Sequence, residues 1–461
     1  MPQYYPFHFV PASGKRNKFT GFEFTVDQLK KGGGYVTHER YVPDTHSGLL
    51  QCTLTTVTPL VVGAEQSRPN GQLAHVEPFL IDRQPAIPGS SLRGMLASIL
   101  EAVSDSALRI LDAKPYELRV AVPGQRNLTV RQAVPGANGQ PATAWDFFAA
   151  LDRRLLPLHP ERTQRLSVAE LILGVVSENP ESEKQTGFAL ASRVRISDAL
   201  AVPGQTDLLA ERLPLRILSS PKPSEVDAPA SQLPEVASPC PVLYMKNANG
   251  DAAYIAKELL KPGTHVPQGR KFYLHHSVTP GQTPWRTEVR GNDPSAKQKN
   301  SVQPIAARKA FAFTVQFDNL HMAELALLLY ALKPTEKFRH KLGMGKPLGL
   351  GSVEIAIQDQ AEVQRQKRYT LEGLGKGRSV KPNWFPGLRK MIEDNAPPEI
   401  LQALQALGEQ IPPDGPVRYP LAAGQTDPEG ETFKWFVLNQ RSRTKWLRPI
   451  AQNHGNLPPL D

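Results

Sequence analysis

The sequence predicts an α+β fold. Twice an alternating apolar run is followed by an amphipathic helical run and then by a second short alternating run. The first set is Leu49–Val62, Ser90–Ser104 and Leu190–Ala199; the second is Phe311–Phe317, Met322–Leu332 and Ser352–Ile357. Two such sets suit a split βαβ core, the ferredoxin-like or RRM-like arrangement, with large insertions and terminal extensions. The chain then divides into an N-terminal arm (1–48), the first half of the core with a helical insertion (49–218) and an excursion (219–310). The second half of the core (311–360) and a basic C-terminal extension (361–461) follow.

Each element has its own reason. The arm opens on aromatic residues, turns basic, then Gly-rich, and reads as extended, with room for one hairpin. LLQCTLTTVTPLVV alternates and is β-branched, hence a strand. Residues 63–84 read as a long polar loop around the short apolar piece Phe79-Leu80-Ile81. Leu118–Val122 suits a strand and Trp145–Leu156 a helix. In LASRVRISDA, Val194 and Ile196 fall on one face and Arg193, Arg195 and Ser197 on the other, giving a half-buried strand with a basic outer face. Pro214–Leu218 is its expected partner. Ser219–Pro241 carries six prolines and reads as linker. Lys271–His276 suits a strand, and Gly291–Ser301 a polar loop. His321 precedes the helix 322–332 in the cap position, with Glu324 three residues on. A helix is expected at 398–409, and Lys434-Trp435-Phe436 lies in an aromatic patch.

The 461 residues carry 54 Lys+Arg against 44 Asp+Glu, a net charge of +10. That excess points to a polyanionic partner, most often nucleic acid. Two cysteines, Cys52 and Cys240, make neither a disulfide framework nor a zinc site. With no signal-peptide pattern at MPQYYPFHFV and no apolar run of membrane-spanning length, the expectation is a cytoplasmic protein without a membrane partner.

Two stretches carry chemistry. In PAIPGSSLRGMLASILEAVS, Pro88 and Gly89 make a turn, and Ser90 or Ser91 is placed to cap the following helix. Leu92, Met95, Leu96, Ile99, Leu100 and Val103 form one apolar stripe. Arg93 in the first turn opposes the helix dipole, and Gly94 costs about 1 kcal/mol relative to Ala. A phosphate at the helix start would account for both. An ordinary Ser-capped core helix with a solvated arginine is the other reading. The second stretch, KFRHKLGMGKPLGLG, sets Gly343, Gly345, Gly349 and Gly351 among Lys337, Arg339, Lys341 and Lys346. It is not a P-loop, because Pro347 follows Gly345-Lys346, and not a dinucleotide fingerprint, because Leu348 stands at the third glycine. Such a loop lets backbone amides approach a phosphate chain. A tight connection needing positive φ angles would explain glycines without a ligand, but not the ring of cations, so anion contact is the favoured reading.

Catalytic signatures are scarce: no HExxH, CxxC or GxSxG occurs. His275 and His276 are adjacent on a strand and face opposite ways, which argues against a shared metal. His75 and Glu77 would share a face if their segment is extended.

Four pieces in order resemble the RAMP superfamily of CRISPR-associated proteins: TPLVVG (58–63), IPGSSLRG (87–94), SRVRISDA (192–199) and GMGKPLGLG (343–351). YYPFHFVP and KWFVLNQ resemble a longer subgroup linked to type III systems. The resemblance implies a guide-RNA-binding backbone subunit of a type III ribonucleoprotein effector complex in antiviral defence. Its partners would be guide RNA, target RNA and other effector subunits. Carried over, Ser90, Ser91 and Arg93 contact guide phosphates. Lys341, Gly345 and Lys346 do so from the other side, and Arg193 and Arg195 add contacts. Some relatives cut target RNA with a metal-assisted Asp in the loop before the first helix. Aligned on Pro78, that position holds Val76. Glu77 and Asp82 are then the catalytic candidates, with a divalent ion such as Mg²⁺ as the only cofactor expected, and Asp82 better matches a second, structural Asp of the family. A metal-independent guide-processing ribonuclease is a further alternative, with His75 and His340 as candidates.

Overall fold

The computed structural model describes residues 2–460 except 14–16, 33, 69–72, 110, 112–116, 122–128, 134–139, 160–162, 178–187, 218–261, 264–268, 278–282, 288, 290–298, 369, 372–377, 380–384, 413–414, 422–423, 425–434 and 436–446. The proline-rich segment 219–241 and most of the expected loop 291–301 lie outside the described residues, as do Lys434 and Phe436. The elements that position the site are, in chain order, β1 (Phe7–Val10), β2 (Thr45–Thr56), α1 (Gly89–Val103), α2 (Val168–Leu173), β3 (Val194–Ile196), β4 (Ala199–Ala201), β5 (Arg270–Tyr273), β6 (Ala310–His321), α3 (Met322–Leu332), β7 (Ser352–Val363), α4 (Phe385–Glu393) and α5 (Pro398–Glu409).

Alternation drives the central sheet. Leu50, Cys52 and Leu54 of β2 are buried, as are Phe311, Phe313, Val315 and Phe317 of β6, while Gln51, Ala312 and Gln316 face out. The order runs β7–β2–β6–β4, with β3 also on β6 and every one of these pairs antiparallel. Strands β2 and β3 therefore run parallel with β6 between them, and β6 and β7 run parallel with β2 between them. Helix α1 links the first parallel pair and α3 the second, so two strand–helix–strand units interleave in one α+β core.

Both helices lie against the apolar face. The expected stripe of α1 is buried from Leu92 to Val103. Helix α3 is buried on all sides from Ala323 to Leu332, because α4 covers the flank that α1 and the sheet leave open. His321 caps α3 as expected: its Nδ1 accepts from the Ala323 amide at 3.3 Å while the Glu324 carboxylate accepts from the His321 amide at 2.9 Å.

Several expectations change. The arm is not a free extension: β1 pairs antiparallel with β5, and Phe7 and Val10 are fully buried. The end of the excursion is thus part of the body. The polar loop 63–84 contains two hairpins, Gly63–Ser67 with Ala74–Pro78, and Leu80–Ile81 with Gln84–Ile87. The expected strand 190–199 is split into β3 and β4. Leu213–Pro214 pairs with Asn300–Val302 rather than with either piece. The C-terminal extension supplies α4 and α5, whose Leu388, Ile392, Ile400, Leu404 and Leu407 are core residues.

Candidate nucleic-acid interface

The start of α1 is capped from a distance. Pro88 occupies the cap position, so neither Ser90 nor Ser91 caps the helix through its side chain. The Asp198 carboxylate, between β3 and β4, accepts from the Gly89 amide at 2.7 Å. An acidic group at the positive end of the helix is favourable, and here the chain itself supplies it. Gly89 is required because an added Cβ would sit 2.3 Å from the Ile196 carbonyl oxygen. Arg93 turns away from the helix start and donates to the carbonyl of Leu173, the last residue of α2. The cation that looked misplaced on α1 thus sits at the negative end of a neighbouring helix. Freed from capping, Ser90, Ser91, Gly94 and Ser98 line a cleft along α1.

The far side of this cleft is the glycine loop. All four glycines have positive φ, between 70° and 101°. At Gly351 an added Cβ would lie 1.9 Å from the Leu342 carbonyl oxygen, and at Gly343 2.2 Å from that of Val61. Backbone geometry therefore accounts for the glycines, and Gly345 is not a lining residue. What the loop gives the cleft is cations. Lys341 and Lys346 line it, and Lys271 of β5 joins them.

The cleft measures about 310 Å³. Lys271 Nζ donates to Tyr273 Oη at 2.7 Å and sits 4.0 Å from the Phe7 ring centroid. Lys341 Nζ donates to the Leu350 carbonyl at 3.1 Å. Among the described residues no carboxylate pairs with Lys271, Lys341 or Lys346. Burial, reinforced by the charge of Lys346, lowers Lys271 and Lys341 to about 7, and burial also lowers Lys346. An anion in the cleft would return to these lysines the stabilisation that water no longer gives.

The other expected residues lie elsewhere. Arg193 is completely buried and does not share the outer face of Arg195. The chain bends just before β3, and the guanidinium turns inward to the Glu324 carboxylate and the carbonyls of Leu171 and Asn319. Arg195 is exposed on the outer sheet face and paired with Asp318. Glu77 is exposed and ion-paired with Arg212 at 2.6 Å. Asp82 and Arg83, with φ of 50° and 64°, form the tight turn of a hairpin. Neither carboxylate is placed with further ligands: among the described residues no three His, Cys, Asp or Glu side chains converge. His75 lies on the strand Ala74–Pro78, whereas His340 lines the cleft with its Nε2 donating to the Leu332 carbonyl at 3.0 Å. Sequence reasoning missed Lys271, Tyr273 and Asp198. The signal for the first two was a lysine and a tyrosine two apart on an expected strand, hence on one face.

A basic α+β chain that gathers unpaired lysines between a helix start and a loop has the build of a polyanion-binding protein. The family model of the RAMP superfamily matches residues 53–354, well over half of the 461, and the chain belongs to that superfamily of CRISPR-associated proteins. Its role is CRISPR-associated RNA binding. The match takes in Ser90, Ser91, Lys271, Lys341 and Lys346, and ends before α4 and α5. No curated protein matches the chain. Among the described residues no helix is long and apolar enough to cross a membrane.

Proposed function

We propose that this chain is a guide-RNA-binding backbone subunit of a type III CRISPR effector complex acting in the cytoplasm in antiviral defence. The reading rests on one observation: the cleft between α1 and the loop 337–351 holds Lys271, Lys341 and Lys346 without a carboxylate partner among the described residues. Single-stranded RNA fits such a site, since its phosphates meet desolvated cations while its sequence goes largely unread. Ser90 and Ser91 contact the strand from the helix side, and Lys341 and Lys346 from the loop side. Arg195 adds a contact on the outer face. Arg93 and Arg193 serve the fold, and Gly345 shapes the turn. Neighbouring effector subunits and target RNA are the further partners.

The test is to purify the chain with its operon partners and extract the bound nucleic acid. Short RNAs of uniform length are expected, and they should be released at lower salt, with a shallower salt dependence, when the three lysines are replaced. Recovery of no RNA, or of fragments of every length, would overturn the proposal.

A further inference from the structure

Lys271 reaches the cleft by a route that the other two lysines do not share. Lys341 and Lys346 belong to the glycine loop, whereas Lys271 stands on β5, which has no strand partner but β1 among the described residues. Register sets Phe7 opposite Tyr273 and Phe9 opposite Lys271, so alternation puts all four side chains on one face of the two-stranded ribbon. Phe7 and Lys271 are then diagonal neighbours, within reach of an aromatic ring and a long side chain. The ring centroids of Phe7 and Tyr273 lie 4.0 Å and 4.4 Å from Lys271 Nζ, which donates to Tyr273 Oη at 2.7 Å.

This setting does what a carboxylate could not. An acidic partner would hold the ammonium but cancel its charge, and an RNA phosphate would have to displace it. A ring face attracts the cation and leaves its charge whole. The rest of the surroundings oppose that charge, because burial and the nearby Lys346 both push Lys271 towards its neutral form. Burial raises the pKa of Tyr273, so its phenol stays neutral and does not serve as a counter-ion. Phe7 is itself fixed. It is fully buried, with the rings of Tyr5, Phe9 and Tyr273 edge-on at 4.6, 5.9 and 6.1 Å. The Leu274 amide donates to the Pro6 carbonyl at 3.0 Å, the Arg418 amide to the Tyr4 carbonyl at 3.0 Å, and His8 Nε2 to the Arg448 carbonyl at 2.6 Å.

We propose that Phe7 is a positioning residue for RNA binding: its ring, with that of Tyr273, holds the Lys271 ammonium charged at the wall of the cleft. The terminal extensions thereby complete a site that the family stretch leaves short of one cation. Phe7, Arg418 and Arg448 all lie outside residues 53–354. The proposal rests on the RNA-binding reading and adds to it the residue that keeps Lys271 in its binding form.

The test replaces Phe7 in the full chain by phenylalanines carrying one, two and three ring fluorines. Fluorine drains the π face and changes the ring's shape little, so packing is kept while the attraction for a cation falls. In the RNA-free chain the Lys271 side chain is followed by ¹³C spectroscopy and identified by its loss in Lys271→Gln. It should give up its proton at a lower pH with each fluorine, at a constant melting temperature. At neutral pH the affinity for single-stranded RNA should fall along the series, by about threefold or more in total. In a Lys271→Gln background the same series should leave affinity unchanged. A Lys271 titration that does not move overturns the proposal. So does an affinity loss of equal size without Lys271, or one that follows a falling melting temperature, because Phe7 would then serve the fold alone. If Lys271→Gln weakens RNA binding and the fluorines do not, only this inference fails. If RNA stays bound as before when all three lysines are replaced, the function proposed above fails with it.

Discussion

The chain employs its cations in two opposite ways, and both lie within reach of α1. Arg93 and Arg193 are consumed by the protein. They donate to the carbonyls of Leu171 and Leu173 in the last turn of α2, and Arg193 also pairs with Glu324 where both side chains are fully buried. Lys271, Lys341 and Lys346 are also desolvated, but they have no carboxylate partner among the described residues. Formal charge treats the two sets alike. Physically, the first holds β3 and α2 against α3, and the second is left without an internal counter-ion among the described residues. A basic composition therefore announces a polyanion partner only through the cations that the fold leaves unpaired.

The sharpest way to break this contrast is to remove one member of the consumed set. Arg193→Ala leaves Glu324 charged, fully buried and unpaired, and should destabilise the protein by about 3–5 kcal/mol in chemical denaturation. If the variant kept its stability and lost only RNA, Arg193 would belong with the lysines and the distinction would collapse. The companion experiment is Lys→Gln at 271, 341 and 346. Each change should lower the slope of log affinity against log salt by about 0.7 for single-stranded RNA. Stability should hold or rise, since each substitution removes a desolvated, unpaired charge. Lys271 is the most informative, because no guide-phosphate role follows for it from the family motifs.

A smaller effect comes from pH. In the RNA-free protein Lys271 and Lys341 titrate near 7 rather than at their ordinary 10.5. Between those values the unfolded chain binds more protons than the folded one, so stability should rise with pH from about 7 towards 10 and be lost again as pH falls through 7. The other groups around the cleft do not blur this window. His275 and His340 are lowered well beneath it, and Arg339 is paired with Glu354. On the proposed function RNA binds the charged lysines, so affinity should run the other way and weaken from pH 6 to pH 9. Melting curves and binding isotherms across this range would test both signs. Parallel trends would mean that RNA does not sit on these lysines.

What was legible in the sequence follows the range of the interactions. Strands β2 and β6 and helices α1 and α3 declare themselves by local periodicity, and their order gives the interleaved core. The His321 cap was also legible, because its partner Glu324 is three residues away. The cap of α1 was not: Asp198 lies more than a hundred residues from Gly89, and nearby Ser90 and Ser91 looked sufficient. The same limit hid the pairing of β1 with β5, which brings Lys271 to the cleft. Helix α4 was obscured differently. It contains Pro386 and Gly387, but both fall in its first turn, where a proline's missing N–H costs nothing. The glycine loop pointed to the cleft through its cations rather than its glycines, since the glycines satisfy the turn while Lys341 and Lys346 line the cleft.

The smallest expected effect separates the two roles a glycine can have. Gly351 and Gly94 stand in the two motifs that opened the search for a phosphate site. Gly351 combines a φ of 72° with a backbone oxygen 1.9 Å from the position of an added Cβ, so alanine there must distort the loop. Gly94 is helical and open, so Gly94→Ala should stabilise the protein by up to about 1 kcal/mol through helix propensity alone. Its presence in the native chain then reflects the cleft rather than the helix. A single methyl group is too small to fill about 310 Å³, so RNA affinity should change little in Gly94→Ala. A stabilised Gly94→Ala that binds RNA normally, beside a Gly94→Leu variant that is equally stable but has lost RNA, would show that binding needs the open space above Gly94. A destabilised Gly94→Ala would instead show that the residue is needed by the packing of α1, and the cleft would lose its claim on that position.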